Sequence, residues 1–388
     1  MSFLDSLAAA FKGGGAAARV PLARPYISPW AAAFAAAPQG RVPFDYQTAL
    51  PRAFAENPVA QRAVRIVAEG VGSAPLAASD PALATLVQAT SAGQALLETL
   101  AAHLTLHGNG YVQIVKDAAG RPAELVALRP ERVSVIPGDD GWPAAYAYRA
   151  GERTLTLPVE DEQGWPVLIH LKALDPASDH YGGGCLSAAA QAVAVHNEAA
   201  RWNLALLENA ARPSGALVHD SGDAPPLSSD QFERLKIELD AAFAGAAHAG
   251  RPMVLDGGLR WQSMALTPAD MDFATLKAAA ARDIALAFGV PPMLLGLPGD
   301  NTYANYREAN RALWRLTLLP LAGKILGGIA EGLRPWFAGA TLGVDLDQVP
   351  ALAEDRERLW GQVSAAEFLS PAEKRALLGL APAEGNSP

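Results

Sequence analysis

The spacing of apolar residues changes several times along the chain, and each change predicts a different element. After Asn57-Pro58, the residues Val59, Ala63, Ile66, Val67 and Gly70 recur at three and four. That spacing predicts an amphipathic helix, stopped by Gly72 and Pro75. A second helix is expected from about Gln94 to His107, with Leu96, Leu97, Leu100 and Leu104 inward and Gly108 at its end. The period then falls to two. YVQIVKD alternates, DAAGRP is a turn, and ELVALRPERVSVIPG, AAYAYRAG, TLTLPV and PVLIHLKA predict further short strands. Helical spacing returns from Ser187 to about Arg212, with Val193, Ala200, Leu204 and Leu207 as its stripe and Pro213 as its stop. A compact insert follows: strand SGALVH, helix SSDQFERLKIELDAAF carrying Phe232, Leu235, Ile237 and Leu239, then strands RPMVLDGG and LRWQSMAL.

The stretch Thr267–Asn310 closes that insert and predicts helix, stop, loop and helix. Thr267 suits a cap, Pro268 the first helical position, and Asp270 the acid of a capping box. Phe273, Leu276, Ala280, Ile284 and Ala287 form the expected apolar face, Gly289 fits the position after the last turn, and Pro291-Pro292 ends the helix. Past Asn310, Leu313, Trp314, Leu318, Leu321, Ile325, Ile329 and Leu333 mark a long helix with a kink at Pro320. A strand, TLGVDLD, and two helices, Leu352–Phe368 and Pro371–Leu378, complete an α+β chain. Residues 1 to about 45, rich in Ala, Gly and Pro, read as an extended arm.

At 388 residues the chain has length for two or three domains, and half of its residues are hydrophobic. Its 31 basic and 40 acidic residues leave a net charge of −9, which argues against tight neutralisation of many phosphates. It leaves room for nucleic acid that passes without sticking. The single cysteine, Cys185, excludes an internal disulfide framework and multi-cysteine metal sites, and suits a reducing cytoplasm. MSFLDSLAAAFKGGG lacks the basic start of a signal peptide, so export is not expected. Leu316–Leu333 is the closest approach to a membrane span, but Pro320, Lys324, Glu331 and four glycines interrupt it, and it reads as a core helix.

Candidate chemistry is thin. Cys185 with His180 and Asp179 is the raw material of a thiol nucleophile, but closeness in sequence is not closeness in space, and an incidental cysteine is the plainer reading. His103 and His107 have the spacing of a two-histidine metal site but lack its glutamate, since Leu104 follows His103. HGNGY and YGGGC match no phosphate-binding loop and read as turns. Asp345 and Asp347 flank Leu346 on an expected strand, as a magnesium pair or an exposed face. No G-x-S-x-G occurs, and Trp261, Trp314, Trp336 and Trp360 are spread as core or subunit contacts rather than as a base-stacking platform.

From about Asn57 to Leu380 the order of segments resembles the portal proteins of tailed double-stranded-DNA phages, of the siphovirus type. The residues that carry the likeness include LTLHGNGYVQIVKDAAGRPAELVALRPERV, VLIHLK, the run GGGCLSAAAQAVAVHNEAARWNLALLENAARPSGALV, AGRPMVLDGGLRW, IALAFGVPPMLLG and NTYANYREANRALWRLTLLPL. HGNGY, ARPSG, FGVPPMLLG and NTYANYREA in that order are the specific part. The chain is short and Ala-rich for the family and is also similar to the compact portals of gene transfer agents.

The resemblance implies a portal fold that forms a dodecameric ring at a capsid vertex. An N-terminal arm (1–45) would precede a wing (46–186 and 306–350) and a stem (187–212 and 268–289). A clip (213–267), a tunnel loop (290–305) and a short crown (351–388) would complete it. It implies a head–tail connector through which double-stranded DNA is packaged by the terminase and later ejected. The implied partners are further copies of the chain, the major capsid protein, the head–tail adaptor, transiently the terminase large subunit, and DNA without sequence specificity. No enzymatic activity, cofactor, metal or membrane is implied, and assembly would take place in the bacterial cytoplasm. Asp300, Asn301, Thr302, Tyr303 and Asn305 would line the channel, and Asp220, Asp223, Asp230, Glu233 and Lys236 would serve docking on the clip. The alternatives are another ring or shell subunit of a phage-like particle, an adaptor or capsid protein, and then a cysteine-dependent enzyme.

Overall fold

A computed structural model describes residues 44–91, 93–208, 215–219, 228–243, 259–263, 273–297 and 303–380. The chain divides into two compact units, and it passes between them more than once. The expected cap at Thr267 and the strand RPMVLDGG lie outside the described residues.

The first unit contains residues 76–184 and 322–344 and holds most of the strands. Strand β1 (Leu76–Ala78) pairs antiparallel with β12 (Leu342–Val344). Between β1 and the expected second helix lies a helix that spacing did not reveal, α3 (Pro81–Gln88), capped by Asp80 on the Ala82 amide with Pro81 at its first position. After a two-residue hairpin, α4 (Leu96–Leu106) buries the four leucines expected of it. Two three-stranded antiparallel sheets follow. In one, β4 (Asn109–Lys116) lies between β5 (Pro122–Leu128) and β9 (Leu168–Lys172). In the other, β7 (Pro143–Ala150) lies between β6 (Val133–Pro137) and β8 (Arg153–Pro158). Tyr111, Leu128, Val133, Tyr146 and Leu168 form one cluster across the two sheets. The helical segment from Ala322 lies on β9 through two glycines: a Cβ on Gly328 would stand 2.2 Å from Leu171 Cδ2, and one on Gly332 would stand 2.4 Å from Ile169 Cγ1.

The two glycine-bearing motifs, HGNGY and YGGGC, dock onto each other. A Cβ on Gly182 would lie 2.1 Å from the Gly108 carbonyl oxygen, and one on Gly184 would lie 2.2 Å from that of Leu106. Gly108 has φ +83°, which a side chain would oppose even without the crowding. Asn109 completes the clasp: its Oδ1 accepts from the Gly182 amide at 2.8 Å and its Nδ2 donates to the Gly182 carbonyl at 3.0 Å. That pairing fixes the amide's orientation and with it two imidazoles. His170 Nε2, 3.1 Å from Asn109 Oδ1, must be a donor; His107 Nδ1, 3.1 Å from Asn109 Nδ2, must be an unprotonated acceptor. His170 also stacks on buried Tyr111, with centroids 4.2 Å apart, and meets Tyr146 edge-on.

The second unit contains residues 44–75, 185–321 and 345–380 of the described chain and is mainly helical. Helix α1 (Tyr46–Phe54) is capped by Asp45, and α2 (Pro58–Gly72) by Asn57. The expected face of α2 is rotated slightly: Ala60, Ala63, Val64, Val67, Ala68 and Val71 are buried, while Val59 and Ile66 lie at its edge. Asn57 is buried and does more than cap. Its Oδ1 accepts from the Ala60 amide at 2.9 Å, its Nδ2 donates to Asn197 Oδ1 at 2.8 Å, and it lies 3.2 Å from His196 Nδ1. Asn197 in turn donates to the Arg52 carbonyl, so one polar network ties α1 and α2 to α5 (Cys185–Glu208). Helix α5 packs along α7 (Phe273–Ala287). The insert supplies an antiparallel pair, β10 (Gly215–His219) with β11 (Leu259–Ser263), and α6 (Ser229–Phe243).

Burial lowers the pKa of His103 to about 4 and of His170 to about 3, with neighbouring cationic groups adding to the effect. The unfolded chain would therefore bind protons that the folded unit refuses. Stability should be full above about pH 6.5, the ordinary histidine value, and should fall continuously as pH drops toward 4. Thermal melts between pH 7 and 4.5 check this, and His170→Gln should flatten the dependence.

Candidate functional site

Helix α7 ends where its sequence says it must, with the expected face rotated: Ala280 and Ile284 are inward as expected, but Leu276 is not. Ala280, Ala281, Ile284, Ala285 and Phe288 are buried, whereas Leu276 and Leu286 are exposed. Small residues fill the inner positions because α5 runs against this face, so the two leucines point outward. The Val290 amide donates to the Ala285 carbonyl at 2.9 Å and the Gly289 amide to Leu286 at 3.0 Å, a Schellman pair with Gly289 at φ +65°. A Cβ on Gly289 would stand 2.9 Å from Thr317 Oγ1, which itself donates to the Gly289 carbonyl at 2.7 Å. Pro291 and Pro292 open a single 3-10 turn, Pro292–Leu295, closed by a second Schellman pair at Gly296. The backbone is thereby set from the end of α7 through Leu297.

Of the expected channel residues, Asp300, Asn301 and Thr302 lie outside the described residues. Tyr303 opens helix α8 (Tyr303–Leu313), and Asn305 is exposed on its first turns. Of the expected docking residues, Asp220 and Asp223 lie outside the described residues. Asp230, Glu233 and Lys236 are exposed on α6, which also exposes Phe232 and Ile237.

Just before Pro320, where a kink is expected, the helix widens into a π-helical turn over Trp314–Leu318 in which the Leu319 amide bonds to the Trp314 carbonyl. Proline has no amide to offer the carbonyl four residues back, and its ring crowds that carbonyl. A widened turn just before it relieves both. Helix α9 (Leu319–Gly332) then continues.

An arginine row that apolar spacing alone does not disclose runs from α8 into the π-helical turn. Arg311 is 15% exposed and touches three acids: Nη1 to Glu308 at 3.0 Å, Nη2 to Glu354 at 2.8 Å and Nε to Asp355 at 3.5 Å. One turn to either side, Arg307 bonds to Glu354, and Arg315 approaches Asp355 at 3.9 Å. Glu354 and Asp355 open α10 (Ala353–Ala365), where acids also suit the helix N-terminus. Three arginines spaced by four, with the adjacent acids Glu354-Asp355 further on, would have been the available sequence signal.

Asp345 and Asp347 do not share a strand face. Asp345 caps a 3-10 turn, Leu346–Gln348, because its carboxylate takes the Asp347 amide and draws the chain out of the strand. Asp347 accepts from Arg356 and, at 3.1 Å, from Trp360 Nε1, and the Arg356 guanidinium holds its carboxyl below the usual range. Arg356 also donates to the Leu378 carbonyl at 3.1 Å, which ties the turn to α11 (Pro371–Leu377).

Other candidates lose force. Burial pushes the Cys185 thiol up, the opposite of what a nucleophile needs. Among the described residues no group of three or more His, Cys, Asp or Glu side chains could hold a metal ion. Trp336 packs edge-on to Trp165 and donates to the Gly120 carbonyl, with Lys116 over its ring: a core arrangement, not a stacking platform.

The phage portal protein family model matches residues 58–379, and the chain belongs to that family. It is a portal protein with the mixed α/β portal fold. A chain in the neck of a native gene transfer agent particle, solved with C12 symmetry, is 46% identical, with a TM-score of 0.66 over 90% of this chain and 98% of that one. An uncharacterized protein of Rickettsia bellii (strain RML369-C) is 38% identical over 346 residues, covering 84% of this chain and 88% of the relative. A portal protein of the HK97 family from Corynebacterium diphtheriae shares the fold at 16% identity and a TM-score of 0.56, over 77% and 98% of the two chains.

Gly289→Ala should cost about 1–2 kcal/mol, since it forces a side chain into the left-handed region and against Thr317. Urea denaturation checks the value; Gly323→Ala, in open space on α9, should cost nothing or stabilise.

Proposed function

We propose that the chain forms a ring of twelve copies at one vertex of a gene-transfer-agent or phage capsid and acts as its head–tail connector. The observation that carries this reading is the 46% identity, over 90% of the chain, to the C12-symmetric neck chain. Double-stranded DNA passes through the ring during packaging, driven by a separate terminase, and passes out again on ejection. The ring itself carries out no catalysis. Its partners are its own copies, the major capsid protein, the head–tail adaptor and, transiently, the terminase large subunit.

Within this reading the segment from Val290 to Asn305 is the tunnel loop. Asp300, Asn301, Thr302, Tyr303 and Asn305 meet the duplex through polar, net-acidic contacts that grip little and let it slide, in keeping with the chain's charge of −9. The Schellman stop at Gly289 and the Pro292–Leu295 turn support this, because they fix where the chain leaves α7 and enters the loop. Helices α5 and α7 are the stem, 213–267 the clip, and 351–388 the crown. Asp230, Glu233 and Lys236, exposed on α6, present charge for terminase and adaptor docking together with Asp220 and Asp223. Helix Ala304–Gly332 is long and apolar enough for a membrane span by length and composition. Its buried Leu313, Leu318, Ile325 and Ile329 support a core role instead.

Deleting residues 298–302 should leave ring formation intact and reduce packaged DNA severalfold, measured as nuclease-protected DNA per particle. Normal packaging by the deletion variant would remove the loop from the mechanism.

A further inference from the structure

Guanidinium groups in a row are suited to phosphates, yet the row that runs from α8 into the π-helical turn faces carboxylates. We propose that Arg307 and Arg315 form a switchable contact for the phosphodiester backbone of duplex DNA. Glu354 and Asp355 hold them neutral until phosphate takes their place. The proposal rests on the portal reading and adds to it the residues that touch DNA.

The three arginines differ in what they can release. Arg311, 15% exposed, is held by Glu308, Glu354 and Asp355 and anchors α10 to α8. Arg307 and Arg315 are 48% and 63% exposed, and each shares an acid that Arg311 already holds. Asp355 stands 3.9 Å from Arg315 and 4.0 Å from Arg358, contacts too long to be directed hydrogen bonds. Exposed pairs of this kind contribute about 0–1 kcal/mol, so a phosphate that binds the planar fork can replace them at little cost. Because Arg311 stays clamped, the exchange leaves α8 and α10 attached.

Position and charge fit the same role. Arg307 lies one turn after Tyr303, at the end of α8 that follows the proposed loop in sequence, within reach of a duplex that meets that loop. Four arginines, Arg358 included, face Glu308, Glu354 and Asp355, so the carboxylates offset most of the row's charge at rest. A permanently bare row, repeated around a ring, would trap the duplex; a row whose countercharge returns when phosphate leaves permits repeated contact.

The test is fluorescence anisotropy of a labelled short duplex with the full-length protein across a salt series. Melting curves and the oligomer mass are taken on the same samples. The double variant Glu354→Gln, Asp355→Asn should bind more tightly at low salt, by roughly threefold or more, and its log–log salt slope should steepen by up to about 2. Arg315→Gln, largely in solvent and harmless to folding, should weaken binding and lower the slope by about 1. If the double variant lowers the melting temperature while affinity and slope stay unchanged in both variants, the row is only a structural clamp and the proposal fails. Should the double variant not fold, the Arg315→Gln slope decides alone. Absence of rings in the wild-type samples would instead overturn the portal reading.

Discussion

Backbone passing backbone with no room for a Cβ is the constraint on which the sheet-bearing unit depends. The segment 106–110 ends a buried leucine helix and begins a central strand, and the segment 182–184 leads to the first residue of a long helix. They meet at distances that only glycine permits, and Asn109 joins them by a two-way amide pair. A glycine contact contributes little energy by itself. What it contributes is register: Asn109, His170 and His107 can each satisfy their polar atoms only with the two segments at this separation. The same device brings a helix onto β9 at Gly328 and Gly332.

The helical unit solves a related problem with alanine and buried amides. Ala280, Ala281 and Ala285 on α7 admit α5 closely, and Ala189 and Ala199 occupy inner positions on α5. Small interfaces bury modest apolar area, at about 25 cal/mol per Å². The Asn57–Asn197–His196 network therefore adds specificity where side-chain bulk is scarce. The Ala-rich composition and the buried polar groups are two sides of one packing choice.

Most elements were legible in the apolar periods. The leucine face of α4, the strands from Asn109 to Lys172, the long helix at Cys185 and the helix stop at Gly289 all follow from spacing and from Gly and Pro positions. Misses have local causes. Helix α3 is eight residues long, too short for a period to declare itself, although Asp80-Pro81 was a usable start signal. The face of α7 rotated because partner geometry, not hydrophobicity, decides which of Leu276 and Ala281 goes inward. Asp345 drew its turn out of a strand pattern by side-chain bonding that periodicity does not register. HGNGY and YGGGC read as separate turns because their meaning lies in their mutual contact, 73 residues apart in sequence. The arginine row is likewise a tertiary fact, since two of its three acids, Glu354 and Asp355, come from a later helix, with Glu354 43 residues beyond Arg311.

Family membership, the portal fold and the capped, glycine-stopped helix ends describe a portal subunit with well-defined helix boundaries. Ring assembly is the central claim, and the purified full chain tests it most directly through native mass measurement with negative-stain imaging. Closed rings with a central hole and a mass near twelve copies of the 40.4 kDa chain are the expected result. A species that stays monomeric at high concentration, with no rings in the images, would contradict it.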